Sequence, residues 1–552
     1  MRFTEDSRVI KEISFVNFIL DTVHGPIGLT ALEDKIERLP IFKRLQDISQ
    51  LGLVKRIFPG ALHNRYIHSL GVMYTIDQMA LHLGVFNSAE RQLLRLAGML
   101  HDLGHYPLSH DLEQVYDRDH NEVKSNDLCV KEVFLAEAVE NINRIMQVEL
   151  IPEEGSCETE SMQKPKRELV AKSPFHHESI TAEVIKSSKS IKCIIVEGII
   201  SGFFDTPGRH WTNDCDEEKV EDFAQRIICD ICALIQGDWD YKYEEQGAFP
   251  KYFTAMIQLL HSELDADRID YLLRDATFSG ASYGTFDIGT LLQNLTLKEH
   301  AIGKEHAWIV GVKEKGIGCA DQYMMNRYLA YTQVIYHKYT SIIGKMLREV
   351  VQWMMDTTGF AFYNQDEIKK IVASHEENGY YLAFTDSYFF NRLNEINKER
   401  DGCPDDIYFF AEQIKKFRSL DLDYEDVFAG NTMHQKEHIE STECYKYILE
   451  LKQQEKIEDI DGLYLFDHKK VTNHVPFDLF KKNFMAYNST HEMKLSFDKY
   501  QMDRLMDGLA VICDDENKSP MLLIDAPRSM STEIFDMCQL MLRKYHDAED
   551  VG

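Results

Sequence analysis

Proline, tryptophan and positive charge are scarce in this chain of 552 residues, and it has no long apolar run. Thirteen prolines leave room for long helices, since proline breaks the helical hydrogen-bond ladder. The longest apolar run, Cys193 to Phe204, is too short to span a bilayer and carries Glu197, which argues against a membrane protein. The first residues, MRFTED, lack the apolar core of a secretory signal. Lys and Arg total 61 against 91 Asp and Glu, a net charge of −30. So acidic a body repels phosphate backbones, which excludes general nucleic-acid binding but leaves a local basic pocket open. The 11 cysteines are scattered and odd in number, as expected of reduced thiols in a cytoplasmic protein. Cys229 and Cys232 form a single CxxC with no second pair, which reads as buried thiols rather than zinc ligands.

What is present is a helical pattern on an ordinary globular composition, 44% apolar and 28% charged. The length calls for two or three domains. Ile67, Leu70, Met73, Ile76, Met79 and Ala80 recur at three and four, giving one apolar helical face. Leu93, Leu94, Leu96, Ala97 and Leu100 do the same and run into His101. Residues 320–356 read as one long helix. Residues 151–174, IPEEGSCETESMQKPKRELVAKSP, are polar and poor in aromatics, as in a flexible loop or a lid. From about 426 the pattern mixes a helical stretch (Cys444 to Gln454) with short strand-like runs, Gly462 to Phe466 and Met521 to Ile524, and a turn at Asp525 to Arg528. The expected fold is mostly α.

Three segments carry chemistry: NRYIHSLGV (64–72), HDLGHYPLSH (101–110) and DADRIDYLLRD (265–275). His101 and Asp102 at a helix end can present an imidazole nitrogen and a carboxylate oxygen to one divalent cation. His68 and Asp267 from other helices complete a mixed N/O set that suits Fe, Mn, Zn or Ni and leaves positions for water and phosphate oxygens. A lone His-Asp pair is ordinarily a helix-capping contact. Here more histidines crowd close by, at 105, 110 and 177. Arg268, Tyr271 and Asp275 stand at i, i+3 and i+7 beside Asp267, so a cation, an aromatic wall and a carboxylate share one helical face.

The pattern His68 … His101-Asp102 … Asp267 resembles the H…HD…D signature of the HD-domain metal phosphohydrolases. Residues 50–72, with HDLGHYPLSH and ELDADRIDYLLRD, are similar within that superfamily to the SAM-and-HD-domain deoxynucleoside triphosphate triphosphohydrolases and their bacterial relatives. The resemblance covers roughly residues 15–425, with an insertion at 117–175 and no room for a SAM domain before residue 15. It implies an HD helical core over 1–345 and a helical C-terminal lobe over 346–425, while the mixed pattern beyond reads as a small α/β accessory domain over 426–552. It also implies cleavage of deoxynucleoside triphosphates (dNTPs) to deoxynucleoside and tripolyphosphate, with Mg on the triphosphate and the ion at the HD site. In this reading His68, His101, Asp102 and Asp267 are the metal ligands. Arg65 holds the α-phosphate region, His105 and His177 line the phosphates, and His110 is the general acid. Arg268 and Arg327 bind phosphates. Gln50 and Asp275 read the sugar 3′-hydroxyl, Leu51 packs on the sugar, and Tyr271 crowds the 2′ position.

Two departures stand beside the resemblance. Ile335 occupies the place of a tyrosine near the base and sugar, with Tyr336 rotated about 100° away on a helix. Arg38, Lys43 and Gln46 replace the side chains that read a guanine activator, so the expected effector is a nucleotide other than GTP. The resemblance further implies a homo-oligomer (dimer, tetramer or hexamer) and a role in nucleotide-pool control or phage defence. The rival readings are another HD phosphohydrolase, acting as phosphomonoesterase or phosphodiesterase, and a nucleotide-sensing protein without turnover.

Overall fold

The structure is a computed structural model. It describes residues 13–113, 176–206, 217–243, 247–335, 337–358, 360, 363–375, 379–396, 402–416, 422–431, 463–469, 497–513, 515, 518–527, 529–530 and 539–547. The expected insertion at 117–175, with its loop 151–174, and the expected helix Cys444 to Gln454 lie outside the described residues. The longer helices are α1 (Ala31–Glu37), α2 (Arg65–Leu83), α3 (Ser88–Leu100), α4 (His177–Ser187), α5 (Lys189–Ile200), α6 (Glu217–Gln236), α7 (Phe253–Leu260), α8 (Ala266–Ser279), α9 (Ile317–Ala330), α10 (Lys338–Thr358), α11 (Gln365–His375), α12 (Asp386–Glu395), α13 (Asp405–Lys415) and α14 (Phe497–Asp507). The fold is mostly α, as the pattern predicts.

The helices that build the site start where local chemistry dictates. Asn64 caps α2 by accepting the Ile67 N–H, Asn87 and Glu90 form a capping box on α3, and Asp265 caps α8 by accepting the Arg268 N–H. The leucines of α3, including Leu93, Leu94, Leu96 and Leu100, are fully buried. Each such side chain contributes about 1.5–3 kcal/mol of burial. Helix α2 packs between α3 and α8. Gly71 makes the α2–α8 approach possible, because a Cβ there would collide with Asp270 Oδ1 and Arg274 Nη2. At its far end α3 is tied down by a buried charge network. Arg95 donates to Glu33 (2.7 Å) and Asp77 (3.0 Å), and Arg91 also reaches Asp77 (2.8 Å). Both partners of each pair are retained, so the cost of burying these charges is offset.

Three small sheets complete the described chain. Strands β1 (Asn17–Asp21) and β2 (Gly25–Leu29) form an antiparallel hairpin. Strands β3 (Leu295–Ile302) and β4 (Glu305–Lys313) form a second hairpin. Strands β5 (Leu422–Asn431), β6 (Leu463–Lys469) and β9 (Gln539–Asp547) form a sheet in the order β5-β9-β6. Strand β7 (Ala510–Ile512) pairs in parallel with β4, and β8 (Met521–Leu522) pairs with β7.

Three expectations differ from what is seen. The stretch 497–530 does not stay within one accessory unit, because β7 extends the β3–β4 hairpin and α14 packs on it. The boundary expected at 345 falls inside α10. The single helix expected over 320–356 is broken: α9 ends at Ala330, Tyr331–Ile335 winds as one wider π-type turn, and α10 starts at Lys338. Such a turn brings residues four apart nearly into line, and both Tyr331 and Ile335 face the cavity described below. Cys229 and Cys232 lie on α6, with the Cys232 thiol buried against the Ala182 carbonyl.

Candidate metal centre and cavity

Four of the expected ligands converge from three places. His68 comes from the first turns of α2, His101 and Asp102 from the end of α3, and Asp267 from the first turn of α8. His68, His101 and Asp102 each offer one ligand atom within 4.8 Å of the others. Asp267 Oδ1 lies 2.9 Å from His68 Nε2 and 3.9 Å from His101 Nε2. The Nε2 atoms of His68 and His101 are buried without a hydrogen-bond partner. Two orphaned imidazole nitrogens aimed at two carboxylates are the mark of ligands sharing one cation, so this donor set fits a divalent metal.

Each remaining ring nitrogen is fixed from behind. His101 Nδ1 donates to Gly98 O (2.8 Å), and His68 Nδ1 donates to Asp270 Oδ2 (2.7 Å). Asp270 is itself held by His24 (2.6 Å) and by Arg274, which also reaches Asp21 (2.8 Å). These partners fix the ring orientations that turn both Nε2 atoms toward the carboxylates. Burial opposes charge on His68, but Asp267 and Asp270 raise its pKa to about 10. Burial alone would raise the Asp102 carboxyl, but the Arg65 guanidinium and the rings of His101 and His105 hold it well below the usual carboxylate range. Burial likewise opposes charge on Asp267, and His68 and His101 override it downward. His101 is pushed below its ordinary value by burial. The centre therefore sets two ionised carboxylates against two imidazoles, His101 held toward its neutral form and His68 toward its charged one.

Beside the centre lies a cavity of about 410 Å³, a size common for small-molecule sites. Its wall includes Gln50, Leu51, Arg65, His110, Asp267, Tyr271 and Asp275. Arg65 bridges wall and centre: Nη1 donates to Asp102 (2.9 Å) and Nε to Ser109 Oγ (2.9 Å). Asp275 accepts from His63 Nε2 (2.8 Å) and keeps its other oxygen for the cavity. Gln50 Oε1 is buried without a partner.

A histidine stack joins cavity to centre. His105 stacks on His177 with ring centroids 4.0 Å apart, and His110 stands edge-on to both. Burial, Arg65 and His177 push His105 well below its ordinary range, so it is neutral. Glu113 collects the Nδ1 atoms of His110 (2.8 Å) and His177 (3.0 Å). Burial opposes its charge, but His177 and His110 hold it well below the usual range. His177 is the ring that meets His105, and His176 stacks on His177 with centroids 4.7 Å apart.

Two arginines sit elsewhere than expected. Arg268 turns away from the cavity wall: its Nη1 donates to Ser262 O (2.6 Å) and pairs with Asp265. The helical face that meets the cavity is instead Asp267, Tyr271 and Asp275, spaced by four. Arg327 lies outside the wall too, 3.7 Å from Glu263, with Nε and Nη1 buried and without a hydrogen bond. Arg38 is paired with Asp34 and Lys43 with the buried Glu37. Tyr336 lies outside the described residues, and Ile335 lines the cavity.

Sequence reasoning missed Glu113, Asp270, His24, His63 and Tyr331. Glu113 was findable three residues after His110 and Asp270 three after Asp267, since such spacings share a helical face. His24 and His63 carry no such signal, because only the tertiary fold brings them to Asp270 and Asp275.

Residues 65–180 match the family model "HD domain". The chain carries an HD domain. The matched residues hold three of the four candidate ligands, His68, His101 and Asp102, and the stacked His105 and His177, while Asp267 on α8 lies beyond them. The chain is 26% identical over 329 residues to the uncharacterized protein YwfO of Bacillus subtilis, covering 58% of this chain and 52% of that protein. It is 23% identical over 416 residues to the uncharacterized protein MJ1154 of Methanocaldococcus jannaschii, covering 74% and 64%. The chain thus spans between half and two thirds of these relatives. A shorter stretch of 104 residues is 42% identical to the human deoxynucleoside triphosphate triphosphohydrolase SAMHD1, covering 18% of this chain and 17% of that protein. The crystal structure of a hypothetical protein from Aquifex aeolicus aligns over 97% of both chains with TM-score 0.54 and 19% identity, which shows a shared fold. Among the described residues no helix is long and apolar enough to cross a membrane.

Proposed function

We propose that this HD domain hydrolyses deoxynucleoside triphosphates to deoxynucleoside and tripolyphosphate. The observation that carries the reading is one cavity wall that joins the metal centre to a sugar-sized set of side chains, Gln50, Leu51, Tyr271 and Asp275. A divalent ion held by His68, His101, Asp102 and Asp267 would supply Lewis acidity and an activated water. Arg65, His105 and His177 receive the phosphate oxygens, and Arg327, ion-paired with Glu263 and off the cavity wall, reaches a phosphate only by turning from it. Arg268 reaches a phosphate only by leaving Asp265. His110, its Nδ1 held by Glu113, has Nε2 free to give a proton to the departing 5′ oxygen. The second oxygen of Asp275 accepts the 3′-hydroxyl proton and the Gln50 amide N–H donates to the hydroxyl oxygen, while Tyr271 crowds a 2′-hydroxyl. Water adds to the α-phosphorus, the bond to O5′ breaks, and O5′ leaves protonated.

The resemblance to the deoxynucleoside triphosphate triphosphohydrolase SAMHD1 supports the same substrate class. The proposed enzyme is a cytoplasmic homo-oligomer answering to a nucleotide effector. Binding of that effector by Arg38 and Lys43 requires both to leave Asp34 and Glu37. The test is product analysis. Each dNTP and NTP, with Mn or Mg, should give deoxynucleoside and tripolyphosphate from dNTPs only, and His101→Ala should abolish it. Orthophosphate or pyrophosphate as the product would favour another HD phosphohydrolase.

A further inference from the structure

Among the described residues, Leu108 and Ser109 are the non-glycine residues with positive φ, at 56° and 55°. L-residues rarely hold this left-handed conformation, so neighbours must hold it for them. The pair immediately precedes His110, and both residues line the cavity. The brace comes from far along the chain. The Leu108 N–H donates to Asp386 Oδ1 (2.7 Å). The other carboxylate oxygen, Oδ2, accepts from Ser49 N (3.2 Å), Ser49 Oγ (2.5 Å) and Lys55 Nζ (2.9 Å). The Ser49 carbonyl in turn accepts the Ser109 hydroxyl (2.6 Å), on which Arg65 rests. Asp386 is buried and opens α12, where the helix N-terminus favours its charge.

Other contacts run the same way. Tyr381 donates to Leu103 O (2.6 Å), and Tyr106 donates to Tyr363 O (2.9 Å). Arg44 joins the carbonyls of His105 (2.7 Å) and Phe384 (2.8 Å). The 101–110 loop is thus gripped by residues 363–386 rather than by its own helix alone.

We propose that Asp386 is a positioning residue for the catalytic centre. One carboxylate locks the left-handed turn that aims His110 and, through Ser49, sets the adjoining wall at Gln50. This inference rests on the reading of His110 as proton donor. Asp386→Asn keeps the shape but turns an N–H group toward Ser49 N–H and the Lys55 ammonium, or toward Leu108 N–H.

The test uses the full chain loaded with Mn and two esters. Thymidine triphosphate has a leaving oxygen that needs a proton, whereas bis(p-nitrophenyl) phosphate releases a nitrophenolate that does not. Asp386→Asn should lose about 100-fold in kcat on the triphosphate, the scale of an ångström-sized misplacement. It should stay close to wild type on the activated ester and bind the same amount of metal. Hydrogen exchange across 101–113 should speed up, and Asp386→Glu should recover part of the loss. Ser49→Ala, a milder cut in the same brace, should shift both readouts the same way and serves if Asp386→Asn fails to fold. Unchanged exchange in 101–113, or equal losses on both esters, overturns the inference. A wild type inactive on both esters rejects the proposed activity instead, and the exchange measurement alone then decides the brace.

Discussion

Replacing Asp270 by asparagine separates the metal centre from the rest of the fold. Asp270 is not on the wall of the cavity, yet its carboxylate accepts from His68 Nδ1 (2.7 Å), His24 Nε2 (2.6 Å) and two nitrogens of Arg274 (2.8 and 2.9 Å). Burial opposes its charge, and Arg274 with the two histidines holds it well below the usual carboxylate range. An asparagine oxygen can serve only one side of this arrangement, and its amide group faces a donor on the other. Two costs follow. Breaking a buried ion pair from one side costs about 3–5 kcal/mol; the lower end applies, because Arg274 keeps Asp21 at 2.8 Å. Loosening the support behind a ligating histidine costs about 10–100-fold in metal affinity. The assay is competition for Mn or Zn against a calibrated chelator, with the thermal midpoint measured in parallel. Weaker metal binding with a lower midpoint is expected. Metal affinity equal to wild type would refute the claim that Asp270 orients His68.

Gly71→Ala should be destabilising by about 1–3 kcal/mol, the usual cost of overpacking, read as a lower urea midpoint, because its Cβ meets Asp270 and Arg274. Glu113 has a folded pKa depressed below its ordinary 4.5, so its contribution to stability is fully present above pH 4.5 and drains away as pH falls; Glu113→Gln should be less stable than wild type at pH 7, with the gap closing in acid melts below 4.5. Asp275→Ala should lose about 1.5–3 kcal/mol of transition-state binding for a 3′-hydroxyl substrate and little for its 2′,3′-dideoxy analogue, seen as a kcat/KM ratio. Tyr271→Ala should narrow the preference for deoxy- over ribonucleotides; an unchanged ratio would remove Tyr271 from sugar selection.

The helical character and the four side chains that converge on the candidate centre were legible because both depend on local pattern. His101 and Asp102 are neighbours, and His68 and Asp267 each sit in a helix whose start is marked by Asn64 or Asp265. What could not be read is what needs the third dimension. The β1–β2 hairpin has only five residues in each strand, too few to announce itself by alternation. Helix 320–356 reads as continuous because nothing local marks the wider turn at Tyr331–Ile335. The direction of Arg268 was misjudged because the i, i+3, i+7 count cannot see Asp265 competing for its guanidinium. Asp386 lies 276 positions after His110 and its role is a contact, not a motif.

The central claim is that water adds to the α-phosphorus and that the bond to O5′ is the one that breaks. Hydrolysis of a dNTP in 18O-labelled water, with products resolved by mass spectrometry, tests it directly. Our account predicts one 18O atom in tripolyphosphate and none in the deoxynucleoside, with no turnover in Asp102→Ala. Label in orthophosphate, pyrophosphate or the deoxynucleoside, or turnover in Asp102→Ala without bound metal, would contradict it.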